Sequence, residues 1–454
     1  MNITVINGSP KGKNSITVQT AYYLEKRFPD HQFTYFDVGQ RIRSYEKDCS
    51  EVFEGLKQAD LILFVYPIYT FLAPYQLHRF VELMAESGID ISGKCATQIT
   101  TSKHFFDVTA HNWMEEICSD FNLKFLKGLS ADMEDLLEPK GRDQAEHFFE
   151  KILFDISHDI YQPPIKYTVP PKPAPHVASL PTVPKTKEKD VVMVTNMAPD
   201  DVNLAQMIAD FTATFPYEVR IVNLRDYPFS GGCLGCMRCS TTEKCIYKDN
   251  FDVFLREEVQ NGDALIYAFT IQNHFTHSSM KCYDDRQFCN GHRTVTHGMP
   301  VGYLISGNYQ NEQNLKVLVE ARSDVGGLYL AGVATDEGDT AHSISSLSHS
   351  LHYALNHCCE RPKTFYGVGG TKIFRDLIYL MQGMMKADHK YYKQNGIYDF
   401  PHNNKGKMLQ MKIIGSMLSM PSVQKKIGGQ LSGYIVSPYT KLIDSAQPKA
   451  QQTR

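Results

Sequence analysis

One succession of landmarks occurs twice in this chain, and that repetition constrains the fold more than any other feature. Ile3–Asn7 is a short β-branched run ending in asparagine, and Val191–Asn196 is another. Asp60–Tyr66 (DLILFVY) is an apolar run entered from a helical stretch, and Asp263–Phe269 (DALIYAF) matches it. Gly128–Asp132 (GLSAD) and Gly332–Asp336 (GVATD) form a third pair. Between the landmarks, short buried strands alternate with helical stretches, the pattern of a parallel sheet with helices on both faces. The expected fold class is α/β, with two tandem doubly wound parallel sheets. Asn196 follows Asn7 by 189 residues, whereas Asp263 follows Asp60 by 203. The second copy is therefore expected to have gained about 14 residues between these landmarks, where the cysteines cluster.

The copies are separated by Tyr161–Lys189, which holds eight of the 22 prolines and little that could build a core. Such a stretch reads as an extended, semi-rigid spacer. The expected organisation is 1–160, a linker over 161–189, a second domain over 190–360 and a helical extension over 361–454. Within the extension, Thr371–Asn395 and Met408–Met420 read as two helices. Pro401–Arg454 carries eight Lys or Arg and one acid, Asp444, so it is +7 in a chain of net charge -3. A basic helical arm packed on the body, or a peripheral contact with an anionic membrane surface or an acidic redox partner, would account for it. The overall charge gives no reason to expect nucleic acid. The opening MNITVINGSP reads as strand and turn rather than a signal peptide, and the apolar stretch Leu61–Tyr75 is broken by Pro67 and Pro74. A cytoplasmic protein without a transmembrane segment is expected.

In such sheets ligands bind at the carboxyl ends of strands. The first strand runs into Gly8-Ser9-Pro10-Lys11-Gly12-Lys13-Asn14-Ser15-Ile16-Thr17. A turn opening onto a helix N-terminus gathers backbone N–H donors for a phosphate. Ser9, Asn14, Ser15 and Thr17 add side-chain donors, and Lys11 adds charge. A well-capped βα turn would look similar. The next strand exits through Pro67-Ile68-Tyr69-Thr70, apolar and aromatic enough to wall a flat ring. The one after it ends in Thr100-Thr101-Ser102-Lys103-His104, with hydroxyls and charge at the same edge.

Together, NGSPKGKNSIT, ADLILFVYPIY and GKCATQITTS resemble the NAD(P)H-dependent FMN reductases and iron–sulfur flavoproteins of the flavodoxin-like fold. The resemblance covers most of residues 1–150. It implies FMN phosphate on Ser9, Pro10, Lys11, Asn14, Ser15 and Thr17. It places the flavin ring against Pro67, Ile68, Tyr69 and Thr70, with Thr100, Thr101 and Ser102 closing the pocket. It also implies a nicotinamide co-substrate that stacks on the ring without a dinucleotide fingerprint of its own. In this group the flavin often lies at a dimer interface, so a homodimer is one expectation.

Cys233, Cys236, Cys239 and Cys245 give C-x2-C-x2-C-x5-C, tight enough to wrap one small inorganic core. The run looks like the compact motif of the iron–sulfur flavoproteins. A [4Fe–4S] cluster, zinc and free thiols are the three readings. The other seven cysteines, Cys289 among them, are expected to be core or surface thiols. The second copy departs from the flavin pattern. Its first turn, Met197-Ala198-Pro199-Asp200-Asp201, would repel a phosphate, and Thr270 and Gln272 stand where Pro67 and Tyr69 do. Each copy thus has what the other lacks, which suggests an internal pseudo-dimer with FMN on the first copy and the cysteines on the second. The function expected is an NAD(P)H-dependent flavin oxidoreductase passing electrons to a quinone-like, small organic or protein acceptor. An electron carrier between protein partners is the alternative. No side chain is required as a catalytic acid or base. Lys103, His104, His274 and His277 are candidates to stand near the ring.

Overall fold

The structure is a computed structural model and describes residues 1–165, 180–399 and 405–418, together with 420, 422 and 423. The middle of the proline-rich spacer and most of the basic tail lie outside the described residues. Residues 1–392 form one compact unit and 393–454 another. In the second unit, Lys405–Leu418 is a helix. Among the described residues no helix is long and apolar enough to cross a membrane.

Two sheets, parallel but for one short antiparallel strand, carry the first unit. The first contains β1 (Asn2–Asn7), β2 (Gln32–Phe36), β3 (Leu61–Pro67), β4 (Cys95–Ser102), β5 (Lys124–Phe125) and β6 (Leu129–Asp132). Its order is β2-β1-β3-β4-β5, and β6 extends the outer edge of β4. The second contains β7 (Thr186–Thr195), β8 (Tyr217–Asn223), β9 (Ala264–Gln272), β10 (Phe275–Thr276), β11 (Pro300–Ser306) and β12 (Tyr329–Thr335). Its order, read from β8, is β8-β7-β9-β11-β12. The two orders are the same doubly wound pattern, with the topological switch beside β1 and β7.

Register refines the repeat. Asn2 N donates to Asp60 Oδ2 at 2.7 Å, and Asp190 N donates to Asp263 Oδ2 at 2.8 Å. Asn7 lies opposite Val65, whereas its counterpart opposite Ala268 is Thr195, not Asn196. The offset of the first strand pair is thus one residue smaller than the asparagines suggest. The insertion lies where expected, since 24 residues separate β2 from β3 and 40 separate β8 from β9.

Both faces of each sheet are buried, which is why the strands read as continuous apolar runs. Ile3, Val5 and Val65 face an outer layer with Phe149 and Ile152, and Val191, Met193 and Ile266 face a separate one with Phe211. The inner faces share a single core, in which Ile6, Phe64, Phe80 and Trp113 join Phe269, Phe275, Tyr283 and Leu318. That core is closed by helix Tyr75–Ser87 on Ser278–Arg286, and by Asp107–Asp120 on Gln313–Gly326. Each helix thus packs on its own counterpart, the isologous arrangement of a twofold dimer built within one chain. Trp113 Nε1 donates to Asn273 O at 2.9 Å, and Ser278 Oγ donates to the buried Glu82 at 2.7 Å across this seam.

The extension differs in part from its expected form. Its helices are Phe365–Leu380 and Lys386–Gln394, split where one long helix is expected. The break falls at Met381–Met385, around Gly383, a poor helix residue.

Candidate functional site

The carboxyl ends of β1, β3 and β4 open into a pocket that the second copy and helix Phe365–Leu380 complete. The first turn folds around Asn7. Asn7 Nδ2 donates to Asp37 at 2.7 Å, and its Oδ1 accepts Ser9 N at 3.1 Å. Ser9, Ser15 and Thr17 are buried at the mouth of helix Ile16–Arg27. The Thr17 and Thr101 hydroxyls meet at 2.5 Å, joining this turn to β4. After β3, Thr70 and Phe71 both take positive φ, of 43° and 72°, and Tyr69 bridges back to Leu72.

Ten of the thirteen residues assigned to a flavin from sequence line this pocket: Ser9, Lys11, Ser15, Thr17, Pro67, Ile68, Tyr69, Thr70, Thr101 and Ser102. Pro10, Asn14 and Thr100 do not. Pro10 is buried behind the turn, and Asn14 is exposed on its short 3-10 segment. Thr100 alternates with Thr101 along β4 and points to the other face, where its hydroxyl meets His111 Nε2 at 2.7 Å.

All four clustered cysteines line the same pocket, so the loop of the second copy reaches the flavin-type site of the first. Gln76 Nε2 donates to Cys233 O at 3.4 Å. Gly235, at φ +60°, approaches so closely that a Cβ there would lie 2.0 Å from the Tyr69 hydroxyl. Behind the loop, Arg286 grips Asp249 through two bonds of 2.7 and 3.0 Å and donates to Gly231 O at 2.8 Å. Burial alone would raise the Asp249 carboxyl, but Arg286 holds it below the usual range.

Burial pushes the Cys233 thiol well above its usual range and the Cys239 thiol up to about 11, and neighbouring thiolates add to both. Bare thiols in this setting stay protonated, unlike reactive cysteines. Among the described residues no three cysteine sulfurs lie within 4.8 Å of one another. Four thiolates on one zinc ion would sit about 3.8 Å apart, from Zn–S bonds of about 2.3 Å. The loop brings four sulfurs to one pocket, the donor set that a small thiolate-bound core needs. Gly235 N already donates to Cys233 Sγ at 3.4 Å.

Of the four side chains expected near the ring, only Lys103 lines the pocket, paired with Asp132 at 2.7 Å. His104 is half exposed and bonds Asp107 at 2.9 Å. His274 and His277 lie at the seam between the copies, 3.1 Å from Glu312 and 3.8 Å from Glu82. Cys289, expected to be an ordinary thiol, lines the pocket, as do Arg286, His292, Phe374 and Leu377. Carboxylates take donors at two strand exits of the second copy, its first turn and the end of β11. Asp201 accepts from Ala198 N at 2.8 Å, and Asp336 accepts from Ser306 Oγ at 2.6 Å and Gly307 N at 2.8 Å.

Residues 1–113 match a family model described as the flavodoxin-like fold. No curated protein matches the chain. Similar solved structures include an NADH:FMN oxidoreductase in its apo form, at 18% identity and TM-score 0.30, covering 34% of this chain and 89% of that one. An FMN-dependent NADH-azoreductase from Bacillus anthracis in complex with FMN is 10% identical, at TM-score 0.27, covering 35% and 100%. An NAD(P)H:quinone oxidoreductase from Methanothermobacter marburgensis is 12% identical, at TM-score 0.26, covering 36% and 98%. With the family match on the first copy and the same strand order in both, the chain carries two tandem flavodoxin-like sheets.

Proposed function

We propose that this chain is an NAD(P)H-dependent flavin oxidoreductase that binds one FMN on its first domain and a [4Fe–4S] cluster on Cys233, Cys236, Cys239 and Cys245 of its second. The observation that carries this reading is that the phosphate-type turn of one copy and the cysteine loop of the other line a single pocket. Ser9, Ser15 and Thr17 would address the phosphate, with Lys11 supplying charge. Pro67–Thr70 would wall the flavin ring. When bound, FMN accepts a hydride from a nicotinamide and releases the electrons in pairs or singly. In the second domain Asp201 takes Ala198 N of the first turn, and Asp336 takes Ser306 Oγ and Gly307 N at the end of β11, so one flavin per chain is expected. The acceptor would be a small organic molecule or a redox protein.

Anaerobically purified protein should show flavin peaks with a broad brown shoulder, bleach on NADPH, and contain one FMN and four irons per chain. Two FMN per chain would sink the division of labour between the copies. A colourless protein that cannot be reconstituted with FMN would sink the whole reading.

Gly235→Ala offers a narrower test. It places a side chain in the left-handed region, at about 1–2 kcal/mol, and drives the loop off Tyr69. Iron should fall to less than about half of wild type while FMN is retained, since the turn of Ser9–Thr17 is untouched. Iron and FMN assays on one preparation check this. Unchanged iron would show that the cysteines do not depend on the loop's contact with Tyr69.

A further inference from the structure

We propose that His292, aimed by the buried Asp388, is the acid that protonates the oxygen of a flat, quinone-class acceptor in this pocket. The proposal rests on the flavin reading above and names what that site reduces. His292 follows the short 3-10 segment Gln287–Asn290 and lines the pocket with its side chain 16% exposed. Its Nδ1 stands 3.2 Å from Asp388 Oδ2. Asp388, in helix Lys386–Gln394, is fully buried. Its Oδ1 accepts no hydrogen bond, and Arg293 Nη1 is 3.8 Å away. A carboxylate buried in that way requires its one strong donor, so the imidazole carries a proton on Nδ1. Nε2 makes no hydrogen bond among the described residues and is the nitrogen left for a ligand.

The local backbone is committed to this contact. Gly291 has φ +61°, and a Cβ there would lie 2.2 Å from Asp388 Oδ1. Tyr392 Oη donates to His292 O at 3.2 Å, tying the two segments a second time.

The acceptor class follows from the rings around it. Tyr69 meets Phe288 at 5.9 Å between centroids, and Phe288 meets His292 at 6.1 Å. His292 meets Phe374 at 4.2 Å, and Phe374 meets Phe105 at 4.2 Å. This aromatic belt, drawn from four segments, favours a planar apolar guest. A quinone reduced to a hydroquinone takes up two electrons and two protons. A bound reduced flavin would supply the electron pair together with one hydrogen. The second hydrogen comes from the doubly protonated ring, which keeps Nδ1–H on Asp388 and gives up the proton that Nε2 takes from solvent. The Nε2–H bond breaks and an O–H bond forms at the acceptor oxygen. The imidazole is left neutral, still donating Nδ1–H to Asp388, and regains its proton from solvent.

The test uses the full chain with FMN bound, as wild type, His292→Gln and Asp388→Asn. Turnover with a water-soluble benzoquinone should fall about 10²-fold or more in His292→Gln. Turnover with ferricyanide, which takes electrons without a proton, should stay within about threefold. Asp388→Asn should show the same split more weakly, as a positioning residue. A readout apart from turnover is the dissociation constant of 4-nitrophenol, an unreactive phenol. It should weaken about tenfold in His292→Gln, with the FMN content unchanged. Benzoquinone and ferricyanide rates that fall together, or unaltered 4-nitrophenol binding, would overturn the proposal. Wild type without FMN would instead sink the flavin reading, and 4-nitrophenol binding to the flavin-free chain would still judge His292.

Discussion

Replacing Lys281 with methionine is expected to lower the unfolding free energy by about 3–5 kcal/mol and to weaken FMN binding. Lys281 and Asp285 sit one turn apart on helix Ser278–Arg286, and both are fully buried. Lys281 Nζ donates to Tyr69 O at 2.8 Å as well as pairing with Asp285. Asp285 Oδ2 accepts Tyr75 N at 2.7 Å, at the start of helix Tyr75–Ser87. Two side chains of the second copy thus hold both ends of the segment Tyr69–Tyr75 of the first. That segment begins with the proposed wall of the flavin ring. Methionine fills similar space but leaves the Tyr69 carbonyl and the Asp285 carboxylate buried without their cation. Burial pushes the Asp285 carboxyl up to about 6 even with Lys281 pulling it down. Without that pull it would protonate, and the loss would fall toward the lower end of the range. A second change, Asp285→Leu, removes the stranded carboxylate and should recover part of the loss, because apolar pairs often replace buried ion pairs well. Urea denaturation of the two single variants and the double variant measures the coupling. A single-variant loss below about 1 kcal/mol would mean the pair does not hold the copies together.

The parts of this site that are legible in sequence are those written locally. The first turn declares itself because phosphate-type chemistry needs its donors within one turn of chain. The cysteine loop declares itself by spacing, and the doubled landmarks declare the repeat. Face is harder to read than position. Thr100 and Thr101 are equally plausible as text, but strand alternation sends one into the pocket and the other to His111. His274 and His277 look like ring-side residues because they follow a strand end. They belong, however, to the copy without the pocket. His274 follows β9 as Phe71 follows β3, and the backbone repeats the likeness with positive φ at Asn273 and His274. The pseudo-twofold carries that strand exit into the seam. His292, Phe374 and Asp388 are not legible in the sequence for the opposite reason. They come from well beyond the first domain, and no local period reports which helix will roof a pocket formed by another copy.

His274→Gln should remove a stability term on the order of 2–4 kcal/mol at neutral pH, and it should change how stability depends on pH. The ring is buried among carboxylates, with Glu312 3.1 Å from Nδ1, Asp120 3.0 Å from Nε2 and the buried Glu116 in the same cluster. Both nitrogens therefore have acceptors, an arrangement that only the doubly protonated ring satisfies. Burial alone would lower the imidazolium pKa, but Asp120 and Glu312 outweigh it and raise it from 6.5 to about 10. The stated magnitude is reduced from the full shift because Asp120 is 52% exposed and screened by water. A folded-state pKa above the unfolded one means that the folded chain holds the proton longer. The stabilisation is complete below about pH 6.5 and drains away as pH rises toward 10. Wild type should thus lose stability between pH 6.5 and 9.5 relative to His274→Gln, whose own curve lacks this slope. Other groups titrate in that window, the cysteines among them, so the difference between the two proteins is the quantity to read. Urea midpoints at several pH values supply it. Parallel curves would show that His274 is neutral in the folded chain. Convergence at high pH would identify a cationic strut between Asp120 of the first copy and Glu312 of the second.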